Sequence, residues 1–181
     1  MKGILWSIRK PHTDNIKSGK KWDEIRKRIP KDLSPLVPNY IYETKANGGC
    51  GKVIGEFRVS QKTYIYAYEN NGEKHLGNTA FIMPALTDED LYNYLCSGKN
   101  KDGWALRIDK LKIYDKPKEL SEFKATCNKV KHYETESKDF FDHCLHCEYL
   151  TEKTSCLDSF ACGKFITRPP QSWCYVESLG E

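Results

Sequence analysis

The apolar and aromatic residues of this chain occur in short runs, most of them the length of a β-strand. Several runs alternate apolar with polar residues, which is the period-two pattern of a strand that buries one face. β-Branched and aromatic residues favour strands, and clusters of Gly, Pro and Asn mark turns between them. The sequence therefore predicts strands over residues 4–8, 22–26, 40–44, 52–60, 63–68, 104–114 and 173–176.

Two stretches have the pattern of short helices. Residues 11–18 begin with Pro11 in the first turn and are followed by Gly19, the usual order at helix ends. A second helix is predicted to begin at Thr87, whose side chain can cap it, and to end at Gly98. Short strands with two or three short helices favour an α+β fold, here a small mixed β-barrel with peripheral helices. At 181 residues we expect a single domain.

The distribution of charge and apolar residues limits the possible partners. No apolar run approaches the roughly 18 residues that span a bilayer, and residues 1–9 lack the cleavage site of a signal peptide. We therefore expect a cytoplasmic protein with no membrane partner. The net charge is +4, but residues 1–32 carry ten Lys and Arg against four Asp and Glu. Such a local basic excess favours a polyanionic partner.

The basic segment contains Gly19, Lys21, Glu24 and Arg26 at the spacing G-x-K-x-x-E-x-R. In an extended segment Glu24 and Arg26 point to the same face. Arginine offers a fork for a phosphate or a base edge, and a desolvated lysine can act as a base. The glutamate can accept from an exocyclic amine or serve as an acid–base group. The same spacing also fits a solvated strand face with a weak ion pair, so both interpretations stay open.

Basic and aromatic residues flank this motif. Trp6 and Trp22 are candidates for stacking on a base, as aromatic side chains do in single-strand binding proteins. Three cations are candidates for phosphate contacts, although an ordinary solvated surface is the alternative. They are Arg9, Lys10 and Arg28.

A polar, cysteine-rich stretch at about 124–164 is predicted to be an insertion ordered by metal. In a reducing compartment clustered cysteines favour a metal over disulfides. A C-x2-C pair followed by two further cysteines can hold a tetrahedral Zn²⁺, and four thiolates leave no open position, so the zinc is expected to be structural. Reduced, unligated thiols and a redox-active pair are the alternatives. The predicted ligands are Cys144, Cys147, Cys156 and Cys162, with Cys127, His132, His143 or His146 as possible substitutes.

The motif and the order of the strands resemble the ASCH domain of the PUA-like superfamily. The resemblance covers nearly the whole chain outside the insertion. It implies one domain over residues 1–181, a small β-barrel, and a cleft beside the motif that binds RNA or a nucleotide-like ligand. It also implies that Glu43 lines this cleft and that the chain is similar to bacterial, phage or mobile-element members. The resemblance is carried by residues 5–11, 19–26, 41–44, 52–57, 104–120 and 168–176.

Three functions are compatible with these features. The first is nucleic-acid binding, with RNA or a modified nucleotide as the ligand. The second is hydrolysis, including ribonuclease activity, at the same cleft with Lys21 and Glu24 as catalytic residues. One branch of the family hydrolyses the acetyl amide of a modified cytidine with a Lys and a Thr at these positions, and a glutamate cannot replace that hydroxyl nucleophile. The third is a protein-interaction module that docks a partner through the zinc loop.

Overall fold

The alternating runs form a mixed sheet in the computed structural model, which describes residues 2–98, 100–126 and 164–179. The predicted α+β class is confirmed. Short 3₁₀ turns lie at Ala46–Gly48 and Leu120–Glu122. The other elements are β1 (Lys2–Ile8), α1 (Lys10–Lys17), β2 (Asp23–Arg26), β3 (Asn39–Glu43), β4 (Val53–Asn70), β5 (Glu73–Gly77), α2 (Asp88–Cys96), β6 (Asp102–Lys118) and β7 (Trp173–Glu177).

The strands are ordered β2-β6-β4-β3-β1-β7, and β5 pairs with β4 as an appended strand. β1 and β3 are parallel, and the other pairs are antiparallel. Within the described ranges, no backbone ladder joins β2 to β7, so the sheet is open at that seam. The closed barrel therefore stays a prediction.

Alternation along the strands sends side chains to different cores. Trp6 and Ile41 pack with Ile16 of α1 on one face of the sheet. On the other face, Leu5 lies in a cluster with Phe123, which follows β6. A third cluster lies between α2 and the end of the sheet formed by β4 and β6. α1 and α2 thus cover separate parts of the sheet.

The structure differs from the predicted strands at β4 and β5. Residues 52–60 and 63–68 were predicted as separate strands, but they form one strand whose register against β6 shifts three times. β5 was not predicted because it is largely polar and none of its residues is buried. It follows Asn71 and Gly72, which both have positive φ angles of 51° and 81°. Two such residues are typical of the tight turn in a β-hairpin.

The two ends of the cysteine-rich insertion lie side by side. Lys124 pairs with Phe165 across an antiparallel bridge, and the Ala125 amide donates to the carbonyl of Lys164 at 2.9 Å. The predicted zinc ligands and their substitutes lie outside the described residues. Within the described ranges, no group of three or more His, Cys, Asp and Glu is placed to hold a metal ion. No helix in these same ranges is long and apolar enough to cross a membrane.

Candidate functional site

The turn between α1 and β2 delivers Lys21 to the candidate site. Gly19 has a φ of +71°, a left-handed conformation that glycine adopts without steric cost. The amides of Lys20 and Lys21 both donate to the carbonyl of Asn15 at 2.9 Å, which folds the chain back against the end of α1. The left-handed conformation of Gly19 and these two hydrogen bonds therefore explain the spacing between the glycine and Lys21.

Lys21, Glu24 and Arg26 form a buried cluster, which we call the triad. The Nζ of Lys21 lies 2.7 Å from Oε2 of Glu24, and the Nε of Arg26 lies 2.9 Å from Oε1. The three side chains are only 3, 5 and 11% exposed. Burial by itself raises the pKa of Glu24, but the charges of Lys21 and Arg26 outweigh it, and the pKa is lowered. The triad therefore consists of two cations paired with one ionised carboxylate. Its burial excludes the alternative interpretation of these residues as a solvated strand face.

Arg26 also reaches across the open seam between β2 and β7. Its Nη2 donates to the carbonyl of Ser7 at 2.8 Å, and its Nη1 donates to Oγ of Ser172, ahead of β7, at 3.2 Å. The guanidinium lies 5.2 Å from the ring centroid of Trp6. Trp6 is fully buried, so it supports Arg26 and presents no open ring face to a ligand.

His12 of α1 faces the triad and was missed by the sequence analysis. Its Nδ1 is buried and has no hydrogen-bond partner in the described part of the chain. Burial, followed by the charge of Lys21, lowers the pKa of His12, while Glu24 acts against the shift. The imidazole is therefore neutral at pH 7. No local sequence signal could have found it, because His12 reaches the triad only through the placement of α1.

Glu43 forms a separate centre, in contact with Thr13 and Lys17 of α1. Its Oε2 accepts from the hydroxyl of Thr13 at 2.5 Å and from Nζ of Lys17 at 3.1 Å. Its Oε1 accepts from the amide of Cys50 at 2.9 Å. Among the described residues, it makes no ion pair with the triad. Because both oxygens are engaged, we interpret Glu43 as a residue that holds α1 against β3.

The predicted phosphate contacts follow β1 and β2 in the chain. Arg9 and Lys10 lie where the chain passes from β1 into α1, and Arg28 follows β2. Arg9 and Arg28 are exposed and Lys10 is half-buried. In the described ranges, none of the three lies within ion-pair distance of a carboxylate. Trp22 is 49% exposed, so it is the predicted stacking residue that remains accessible.

Comparisons with known proteins identify the fold. No protein-family model and no curated protein matches the chain. Among solved structures, a serine-to-alanine variant of the ASCH protein from Zymomonas mobilis is 19% identical with a TM-score of 0.50, and the match covers 65% of this chain and 74% of that one. A tyrosine-to-phenylalanine variant of the same protein is 18% identical with the same TM-score, covering 65% and 76%. The resemblance to the ASCH domain is therefore confirmed as a shared fold.

Proposed function

We propose that this chain binds RNA or a nucleotide-like ligand at a cleft beside the triad, in a barrel-like curl of the sheet. The observation that carries the proposal is the buried charged cluster with an unpartnered acceptor beside it. Lys21 and Arg26 both pair with Glu24, and the buried His12 Nδ1 has no hydrogen-bond partner in the described ranges. A polar ligand can satisfy this nitrogen and bind the excess positive charge.

The energetic argument concerns the unpartnered nitrogen of His12. A buried polar atom without a hydrogen bond costs about 1–3 kcal/mol, and native proteins hold few of them. A nucleotide offers both donors and acceptors, so its exocyclic amine can donate to Glu24 and its oxygens can accept from Arg26. The neutral His12 Nδ1 adds an acceptor of a second kind.

The electrostatic argument concerns the phosphate backbone. The triad carries a net charge of +1 in a buried position, and Arg9, Lys10 and Arg28 add cations around it. Phosphate neutralisation by such residues supplies most of the sequence-independent affinity for nucleic acids. Base contacts inside the cleft would then give the selectivity.

The proposal is tested by titrating a fluorescent single-stranded RNA of ten nucleotides. We expect Lys21→Met, which keeps the length of the side chain, to weaken binding at least about tenfold, the loss of one charged contact. The matched control is Lys116→Ala, an exposed lysine far along β6, and it is expected to leave affinity unchanged. Equal weakening by both variants would reduce the site to diffuse surface charge.

Hydrolysis at the same site is the second candidate, and His12 is the observation that favours it. A neutral imidazole beside a lysine can accept a proton, as general-base catalysis requires. Incubation with mixed RNA separates the two functions. Cleavage that is lost in both Lys21→Met and His12→Asn supports an enzyme with Lys21 and Glu24 in its site, whereas binding without turnover supports the binding module.

We also propose that the cysteine-rich insertion binds one structural Zn²⁺ and can dock a protein partner. The proposal is supported by the C-x2-C spacing and by the adjacent ends of the insertion at Lys124 and Phe165. Deletion of residues 129–164 should then leave RNA affinity intact and remove the partner.

A further inference from the structure

A row of exposed aromatic side chains crosses the face of the β4–β5 hairpin that α2 does not cover. Tyr64, Tyr66 and Tyr68 alternate along β4 and are 42, 37 and 43% exposed. His75 of β5 lies directly opposite Tyr68. The residues between them, Ile65 and Ala67, are buried in the cluster that contains α2. We call the four rings the aromatic ladder.

Neighbouring rings of the ladder lie at similar distances from each other. The centroids of Tyr64 and Tyr66 are 6.0 Å apart with their planes at 29°, and those of Tyr66 and Tyr68 are 5.8 Å apart at 35°. Tyr68 and His75 are 5.1 Å apart at 22°. A Cβ added to Gly77 would lie 2.2 Å from Cζ of Tyr66, so the Tyr66 ring lies flat across the backbone of β5. The ladder is therefore held in place by the sheet below it.

The ladder leads towards the triad. Trp104 of β6 makes an edge contact with Tyr64 at 5.4 Å and is the register partner of both Tyr64 and Arg26. Directly opposed residues in a sheet share one face. A ligand bound at the triad can thus continue past Trp104 onto the ladder.

We propose that the ladder is a stacking platform for the bases of single-stranded RNA that extends from the triad. The inference rests on the proposed nucleic-acid function and adds a second set of contacts to it. Exposed aromatic rings on a sheet face stack on unpaired bases. The ring spacing of 5.8–6.0 Å exceeds the rise of about 3.4 Å per nucleotide in a duplex strand. One base on each ring therefore requires a splayed single strand.

The cations near the ladder lie at its triad end. Lys62 lies on the same face beside Tyr64, with its Nζ 3.0 Å from the carbonyl of Leu33, and the triad lies beyond Trp104. Asp102 also lies at this end, where it accepts from the Tyr64 hydroxyl at 3.0 Å. Glu73 lies at the other end, in β5 next to the hairpin turn. The phosphates are thus expected to enter from the triad side, with about three or four nucleotides on the ladder at one base per ring.

The experiment compares three fluorescent probes: a single-stranded oligouridylate of ten nucleotides, the same strand without bases, and a duplex of equal length. We expect Tyr66→Ala and Tyr68→Ala each to weaken binding of the oligouridylate at least about fivefold, which is the effect of losing one stacked base. Binding of the base-free strand should stay unchanged, and Tyr66→Phe should keep the wild-type affinity. Phe165→Ala, an exposed aromatic residue away from the ladder, is the matched control.

The outcomes separate this inference from the function on which it rests. If the wild type binds the oligouridylate and the two alanine variants bind it equally well, the stacking role of the ladder is refuted, while the proposed RNA binding is retained. Equal weakening of the base-free strand would also refute the ladder, because the loss would then come from structure or charge. If the wild type binds none of the three probes, the proposed function fails and the ladder fails with it. Gly77→Ala checks the geometry independently, since it must displace the ring of Tyr66 and weaken only the base-bearing strand.

Discussion

Replacing Glu43 by Gln tests how α1, which carries His12, is held against the sheet. Thr13 and Lys17 of α1 and the amide of Cys50 all donate to this carboxylate. Burial by itself raises the pKa of Glu43, but these hydrogen bonds outweigh it and lower the pKa from 4.5 to about 2. The ionised form is therefore stabilised in the folded protein.

The magnitude follows from the pKa values of the folded and unfolded chain. At about 1.4 kcal/mol per pH unit, a fall from 4.5 to about 2 corresponds to about 3 kcal/mol. Between these values the unfolded chain binds more protons, so the stabilisation is complete above about pH 5 and is lost as the pH falls towards 2. We expect Glu43→Gln to lower the free energy of unfolding by about 3 kcal/mol at pH 7 and by about 1.5 kcal/mol at pH 3.

The assay is urea denaturation at both pH values, followed by tryptophan fluorescence. Glu73→Gln is the matched control, because Glu73 is an exposed carboxyl on β5 and a surface change of this kind alters stability by less than about 0.5 kcal/mol. A loss from Glu43→Gln that is the same at pH 7 and pH 3 would refute the argument. So would a loss at pH 7 no larger than that of the control.

The remaining predictions concern metal, salt and a helix cap. Elemental analysis of freshly purified protein should give one zinc per chain, and a value below about 0.2, well short of one ion per tetrahedral site, would contradict the proposed site at Cys144, Cys147, Cys156 and Cys162. The logarithm of the RNA affinity should fall with the logarithm of the salt concentration at a slope of about −0.7 per phosphate contact. Lys10→Ala and Arg28→Ala should each reduce the slope by the value of one contact. An RNA affinity that does not change with salt would exclude phosphate contacts. Thr87→Ala should destabilise α2 by about 0.5–2 kcal/mol, because it removes the oxygen that accepts from the Asp90 amide at 3.1 Å; circular dichroism melting would detect the shift, and an unchanged melting temperature would contradict it.

The elements that the sequence predicted are those whose local signals agree with their burial. The apolar run of β1 and the Thr87 cap of α2 both have local causes, and both are present. β5 was missed because its strand character comes from pairing with β4 and from the positive φ angles of Asn71 and Gly72, whereas its composition is polar. A single polar strand carries no burial pattern from which it can be predicted.

The triad and its surroundings likewise include residues that the sequence predicted and residues that it could not predict. The period-two spacing placed Glu24 and Arg26 on one face, and they pair. The sequence could not reveal that Trp6 is buried against Arg26, because that contact joins β1 and β2, which are far apart in the strand order. It also could not reveal His12, because the side chain reaches the triad only through the placement of α1. Contacts between elements that are distant in the sheet depend on tertiary packing, which local patterns do not encode.

Substitutions at Arg26 separate the effect of its charge on stability from the effect of its hydrogen-bond geometry. Arg26→Lys keeps a cation for Glu24 but loses the fork that reaches Ser7 and Ser172, and hydrogen bonds from charged groups contribute about 1.5–3 kcal/mol. Removing one partner of a buried ion pair costs about 3–5 kcal/mol, and Arg26→Met should lie near the lower end because Lys21 still pairs with Glu24.

Urea denaturation at pH 7 should therefore rank the free energies of unfolding as wild type, then Arg26→Lys, then Arg26→Met. Acidification adds a second test. Arg26→Met removes one of the two cations that lower the pKa of Glu24, so this variant should lose less stability between pH 6 and pH 3 than the wild type loses. Wild-type stability in Arg26→Lys would show that charge alone holds the seam between β2 and β7. An unchanged pH dependence in Arg26→Met would show that Arg26 does not hold the Glu24 carboxylate in its ionised form.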